Sequence, residues 1–296
     1  MAIPGEGEPA AANVPAESQQ GQRPVHATER IPGWLKAWRD AGCIVLLLDF
    51  DGTLAPIAAR PEMAELSADT RRLLEQLRVR SDVHLAVVSG RSLADIRQRV
   101  GITGITYVGN HGMEIEGPGV SLLHPQAAAA RPKLNQASSE LRQLLAGFPG
   151  AWLEDKGLTL SVHYRALPDQ HVPALTAAVL ERISAVSALR LGHGKKVLEV
   201  RPKVDWHKGR AVLHLLEKLH LPPGTPVQYY GDDISDEDAF VAIRDVYGEA
   251  GEAILVADSP ALASAARAYL RSPAEVGQHL GALVVAAELP GAPAAG

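Results

Sequence analysis

Two acidic strings stand out as places where chemistry can happen: Asp49-Phe50-Asp51-Gly52-Thr53-Leu54 and Gly231-Asp232-Asp233-Ile234-Ser235-Asp236-Glu237-Asp238. Each follows an apolar run. In an extended chain, residues two apart project to the same side, which predicts Asp49 and Asp51 next to each other. Two like charges at the mouth of a core are costly unless a cation or a shared proton relieves them. A hard cation with oxygen ligands does so, and magnesium suits the task because it keeps waters and pairs with phosphate. In the second string, Asp232 ends the apolar run and is the candidate metal ligand. Asp236 is expected to hold a metal-bound water or orient a lysine, with Asp233 in support. Ser235 and Asp238 fit a helix capping box, so part of this acidity, Glu237 included, is helix-start chemistry. The spacing and terminal Glu do not fit an EF-hand loop.

An acidic site that admits a phosphate also needs a fixed positive charge. Lys208, in Asp205-Trp206-His207-Lys208-Gly209 just before a helical pattern, can supply it as a point charge. Ser89, in Ser89-Gly90-Arg91, can donate to a phosphoryl oxygen, as can the N–H groups of the helix start that follows. No Walker A string is present.

These residues sit where an alternating strand–helix pattern would place them. Cys43–Leu48, Val83–Val88, Ile105–Val108 and Pro226–Tyr230 read as buried parallel strands. Ser67 and Ser92 are positioned to cap helices. Asp49, Ser89, Asn110 and Asp232 then fall at strand carboxyl ends, where open parallel sheets gather ligands. Between about 115 and 200 the texture changes. Leu158, Leu160, Val162 and Tyr164 alternate with Thr159, Ser161 and His163, which predicts a half-exposed antiparallel strand. A helix capped by Asp169 and two more strands, Leu189–Leu191 and Lys196–Val200, are expected to complete an α+β insert. Residues 1–30 and 289–296, rich in Ala, Pro and Gly, read as a disordered extension and a flexible tail. Residues 31–114 and 201–288 form the expected discontinuous core, and 115–200 the expected cap.

Composition narrows the function class. The net charge of −5 shows no basic stripe, which argues against nucleic acid. The single cysteine, Cys43, excludes an intrachain disulfide and a Cys-based zinc site. The longest apolar run is too short for a membrane span, and no signal peptide is evident, so the expected location is cytoplasmic.

Asp49-x-Asp51-Gly52-Thr53, Ser89, Lys208 and Gly231-Asp232-Asp233, in that order, resemble the four motifs of the haloacid dehalogenase (HAD) superfamily over about residues 43–270. The resemblance implies an α/β, Rossmann-like core and Mg²⁺-dependent phosphoryl transfer. It implies Asp49 as nucleophile, forming an aspartyl-phosphate, and Asp51 as general acid and base. Asp49, Asp232 and the backbone carbonyl of Asp51 would bind the metal, and Lys208 and Ser89 would neutralise the phosphoryl group. The insert between the third strand and Lys208 resembles a C2-type cap.

Finer strings resemble the trehalose-6-phosphate phosphatases: Asp51-Gly52-Thr53-Leu54-Ala55-Pro56-Ile57, Gly109-Asn110-His111-Gly112, Glu154-Asp155-Lys156-Gly157, His163-Tyr164-Arg165 and Leu198-Glu199-Val200-Arg201-Pro202. This implies a sugar-phosphate substrate contacted by Arg91, Asn110, His111, Glu154, Lys156 and Glu199. It also implies a functional link to trehalose-6-phosphate synthase. A related phosphatase for sucrose-phosphate or mannosyl-phosphoglycerate, and a catalytically silent sugar-phosphate sensor, remain as alternatives.

Overall fold

The computed structural model describes residues 23–58, 60–259 and 264–288. The chain enters through β1 (Val25–His26) and α1 (Ile31–Ala41). It then alternates β2 (Ile44–Asp49), α2 (Ala68–Arg78), β3 (Val83–Val88), α3 (Leu93–Val100) and β4 (Thr106–Gly109). A hairpin, β5 (Glu114–Gly117) and β6 (Val120–Leu123), leads to α4 (Pro125–Ala129) and α5 (Arg131–Leu145). The insert continues with β7 (Trp152–Asp155), β8 (Leu160–His163), α6 (Val172–Ser184), β9 (Leu189–Gly194) and β10 (Val197–Pro202). The chain returns through α7 (Lys208–Lys218), β11 (Val227–Gly231), α8 (Ile234–Tyr247), β12 (Gly251–Val256), β13 (Ala268–Leu270) and α9 (Pro273–Glu288).

Nine strands form one sheet in the order β1-β13-β12-β11-β2-β3-β4-β5-β6, parallel up to β4 and antiparallel beyond it. Helices cover both faces, so the central strands must be apolar on both sides. In β2, Ile44, Leu46 and Leu48 pack towards α1, α2, α3 and α9, while Val45 and Leu47 pack towards α7 and α8. Each such fully buried side chain contributes about 1.5–3 kcal/mol. The second sheet, β7-β8-β10-β9, is antiparallel, and α5 and α6 close one face of it over Leu160, Val162, Leu198 and Val200. This is the expected α/β core with an inserted α+β unit.

Three local expectations change. The stretch 1–30 does not read as disordered throughout. Val25 and His26 pair in parallel with Ala268 and Tyr269, and Ala27 is fully buried; residues 1–22 and 289–296 lie outside the described residues. The hairpin of β5 and β6 extends the large sheet, so a boundary at 114/115 would cut a unit that belongs to the core sheet. Its turn, Gly117-Pro118-Gly119, is visible in sequence but does not say which sheet the strands join. Asp169 does not cap α6: it starts a short 3₁₀ turn and pairs with Lys196 at 2.9 Å, and His171 holds the N-cap position. Ser67 and Ser92 do cap α2 and α3, accepting from the N–H groups of Thr70 and Asp95.

Candidate active site

The strand alternation decides where Asp49 points. It follows Val45 and Leu47 in register, so its carboxylate faces the side of the sheet covered by α7 and α8. Lys208, the first residue of α7, reaches in from that side. Its Nζ donates to Asp49 Oδ1 at 2.8 Å and to Asp236 Oδ1 at 2.7 Å. All three side chains are buried. Gly209 brings the two helices this close: a Cβ there would lie 2.2 Å from the carbonyl oxygen of Asp238.

Asp236 is a hub. Its Oδ1 also accepts from the Tyr229 hydroxyl at 2.7 Å, and its Oδ2 accepts from the backbone N–H groups of Asp232 and Asp233, both at 3.1 Å. Asp233, not Ser235, is the N-cap of α8, and Asp236 is its capping-box partner. The box therefore begins two residues earlier than expected and absorbs the two acidic residues assigned to metal support. Burial opposes an ionised Asp233, but Lys208 and the hydrogen bond from Ser235 outweigh it and hold the carboxyl at about 2.

Carboxylate oxygens of Asp49, Asp232 and Asp236 lie within 4.8 Å of one another. Asp49 Oδ2 is buried and has no hydrogen-bond partner, so one acceptor at the centre of the cluster is unused. Burial, with Asp236, Asp232 and Asp233 adding and Lys208 opposing, raises the Asp49 carboxyl well above its usual range. Burial also pushes Asp232 up to about 6, with Asp233 and Asp236 adding, against the pull of Lys195, whose Nζ sits 2.9 Å from Asp232 Oδ2. Oxygen-only donors, an orphaned acceptor and excess negative charge fit a small hard cation. Asp232 comes this near because residue 52 is glycine at φ +90°: a Cβ would lie 2.3 Å from Asp232 Oδ2.

Asp51 is not one of the three clustered carboxylates. The chain turns at Gly52, and the Asp51 carboxylate is held in a fork by Arg91, Nε to Oδ2 and Nη2 to Oδ1 both at 2.7 Å. Arg91 also donates to Asp95 and to the carbonyl of Pro61. It is buried and its donors are committed, so it holds Asp51 rather than lining the cleft for sugar. Ser89 is buried at the end of β3, where its hydroxyl accepts from the Arg91 N–H at 3.1 Å.

The expected sugar-contacting residues collect where the second sheet faces the core. Glu154, Ser161 and Glu199 occupy one cross-strand row. Glu154 pairs with His163 at 2.8 Å and lies 3.9 Å from Lys156. Lys156 Nζ donates to the Gly90 carbonyl at 3.2 Å. Asn110 is fully buried and ties the two units together, accepting from Thr159 at 2.8 Å and donating to Glu114 and to the Lys156 carbonyl. Asn110 and His111 both adopt left-handed φ, at 48° and 56°, which turns the chain sharply after β4. Burial lowers His111 to about 4, with Arg201 adding and Glu199 opposing, and Arg201 Nη2 donates to its Nε2 at 2.9 Å. Arg201 also bonds Glu199. Ser161 is only 1% exposed. The polar half of the β8 alternation is therefore covered by the core, which a period-two pattern cannot distinguish from solvent.

Three residues outside the predicted set take part. Tyr229 reads as an apolar strand residue, and nothing in its neighbourhood signals the hydroxyl's partner. Lys195 was detectable, because Gly194-Lys195-Lys196 is a charged hairpin tip with Lys196 at φ 64°. Thr53 is fully buried with an unpartnered hydroxyl. Its place directly after Asp51-Gly52 was the available signal.

A family model described as trehalose-phosphatase matches residues 47–274. The trehalose-phosphate phosphatase of Mycobacterium tuberculosis is 44% identical over 241 residues, covering 79% of this chain and 59% of that protein. The one of Mycobacterium marinum is 40% identical over 246 residues, covering 80% and 60%. The chain thus spans about three fifths of the length of these relatives. Among solved structures, the Candida albicans trehalose-6-phosphate phosphatase C-terminal domain aligns with a TM-score of 0.73 at 22% identity, over 89% of this chain and 98% of that one. A trehalose-6-phosphate phosphatase related protein aligns with a TM-score of 0.70 at 23% identity, over 81% and 97%. At those identities the structural likeness speaks for the fold.

Proposed function

This chain belongs to the trehalose-phosphatase family, and on that premise we propose that it hydrolyses trehalose-6-phosphate to trehalose and inorganic phosphate. The observation that carries the reading is the buried triad of Asp49, Lys208 and Asp236 beside an unpaired Asp49 oxygen. Lys208 holds Oδ1 of Asp49, and a carboxylate oxygen of Asp49 attacks phosphorus as the P–O bond to the sugar breaks, giving an aspartyl-phosphate and the freed sugar. Asp236 holds Lys208 in place, and its own charge is spread over four donated hydrogen bonds, from Lys208, Tyr229 and the backbone N–H groups of Asp232 and Asp233.

Asp51, held in a fork by Arg91, is oriented as an acceptor. That state suits taking a proton from the water that cleaves the phospho-enzyme. Giving a proton to the leaving sugar oxygen requires Asp51 to carry one first, and therefore to loosen from Arg91. Ser89 and Lys208 are placed to offset charge on the transferring group, where positioning and electrostatics supply most of the catalysis. Asp49 and Asp232, with the backbone carbonyl of Asp51, would hold Mg²⁺. When bound, it supplies charge neutralisation and orientation of the phosphoryl oxygens. Glu154, Lys156 and Glu199 offer carboxylates and an ammonium to the hydroxyls of a disaccharide, which bond in both senses. A phosphatase of this substrate implies a synthase that supplies it. No described helix is long and apolar enough to cross a membrane.

The test is phosphate release from trehalose-6-phosphate, sucrose-6-phosphate, glucose-6-phosphate and mannosyl-3-phosphoglycerate, with magnesium and with EDTA. Magnesium-dependent preference for trehalose-6-phosphate is expected. Preference for another sugar would keep the chemistry and overturn the substrate, and no release from any would favour a silent sensor.

A further inference from the structure

A second cleft, of about 660 Å³, opens at the hinge where the chain passes from the second sheet back to the core. Its walls include Arg190 of β9, Arg201 of β10, Lys203, Trp206, His207 and Asp238. None of Asp49, Asp51, Ser89, Lys208 or Asp232 lines it. Its size falls in the range of small-molecule sites.

The charges in this cleft are not balanced by the protein. Arg190 and Arg201 are direct cross-strand partners. Like charges at such positions destabilise a sheet unless something offsets them. Arg201 is engaged by Glu199 on the side of the active site. Arg190 and Lys203 are exposed, and among the described residues neither forms an ion pair. Of the two acids at the rim, Asp205 pairs with Arg210 at 2.7 Å, and Asp238 lies 3.6 Å from His207 Nδ1, beyond hydrogen-bond distance, so one carboxylate stands against Arg190 and Lys203. Two nitrogens, Arg201 Nε and His207 Nδ1, are buried without a hydrogen-bond partner. Unsatisfied buried polar groups cost about 1–3 kcal/mol each, so a native protein that keeps them usually has a ligand or water for them.

We propose that this hinge cleft binds a phosphate group, free or carried on a sugar, at a site separate from the catalytic cluster. Arg190 and Lys203 supply the charge, Arg201 Nε and His207 Nδ1 the buried contacts, and Trp206 a flat wall of the kind that takes a sugar ring. The site stands on the hinge residues alone and is independent of the identity of the catalytic substrate.

Calorimetric titration of the full chain in EDTA with inorganic phosphate, and separately with glucose-6-phosphate, tests it. The wild-type chain is expected to bind both without a divalent ion. Arg190→Gln combined with Lys203→Gln is expected to weaken both at least tenfold, while melting temperature and magnesium-dependent turnover of p-nitrophenyl phosphate stay unchanged. Lys203→Arg, which keeps the charge, should retain binding. A control of two remote exposed cations, Lys36→Gln with Arg72→Gln, should bind as wild type. Equal affinity for the two probes assigns the site to free phosphate, and tighter binding of glucose-6-phosphate assigns it to a sugar phosphate. Absence of binding in EDTA, undiminished binding in the Arg190/Lys203 variant, or an equal loss in the remote control would overturn the proposal.

Discussion

The core cluster and the facing side of the second sheet use the same residue types in opposite settings. In the core, Asp49, Lys208 and Asp236 are 4%, 3% and 0% exposed, and each is fixed by neighbours on rigid elements. Around Glu154 and Glu199 the carboxylates are partly exposed, at 23% and 15%, and their partners are side chains that a ligand hydroxyl could replace. On the proposed function, the contrast separates two jobs. Charges that must be ready before a reaction are built into the core, where low dielectric magnifies them. Groups that must adapt to a substrate sit on a surface that can exchange partners. Polar contacts that join the two regions include Lys156 to Gly90, Thr159 to Asn110, Asn110 to the Lys156 carbonyl, Arg201 to His111, His111 to Glu199 and Lys195 to Asp232.

The sharpest way to break this division is at Asp49. Asp49→Asn keeps the shape and removes the proposed nucleophile, and turnover is expected to fall by at least ~10³-fold, about 4 kcal/mol of barrier. Circular dichroism and steady-state kinetics check it together; near-normal turnover would remove the covalent route. Next comes Lys208→Met. Losing the one cation between two buried carboxylates is expected to cost about 3–5 kcal/mol of stability, read from denaturant unfolding. Little change would mean that the carboxylates take up protons and that the triad is not the rigid element described.

A smaller effect belongs to Asp232. Its carboxyl is pushed up to about 6, so it gains a proton as pH falls through that value and loses its attraction for a cation. The sign follows: magnesium affinity should be full above pH 7 and drop about tenfold by pH 5, one unit below the midpoint. Calorimetric titration of Mg²⁺ at both pH values measures it. A flat profile would place the metal on other ligands. Glu154, by contrast, is held below the usual range: burial opposes this, but His163 and Lys156 prevail. The facing sheet should therefore keep its charge over the same interval.

Much of the core was legible because the physics is local. A run such as Ile44–Asp49 must be buried on both faces, and its end must meet the ends of its parallel neighbours, so Asp49, Ser89, Asn110 and Asp232 converge on β2, β3, β4 and β11. What sequence could not carry was partner choice. Asp49-x-Asp51 puts two carboxylates on one side of an extended chain, but nothing in that string says that Arg91, forty residues on, takes Asp51 in a fork. Arg91 accordingly reads as a cleft residue until its partners are known. Asp233 to Asp238 fits two capping boxes two residues apart, Asp233 with Asp236 and Ser235 with Asp238, and the structure forms the first, whose Asp236 also holds Lys208 and Tyr229. The facing sheet was legible as a sheet, while the burial of Ser161 depends on a neighbour far away in the chain.

The central claim is that the core breaks the phosphoester and the facing sheet chooses the sugar. The ratio of kcat/KM for trehalose-6-phosphate to that for p-nitrophenyl phosphate, measured in wild type and in Glu154→Ala, tests it most directly. The account predicts that the ratio falls by about tenfold or more, the worth of one lost charged hydrogen bond, with p-nitrophenyl phosphate turnover preserved. An equal loss on both substrates would contradict it.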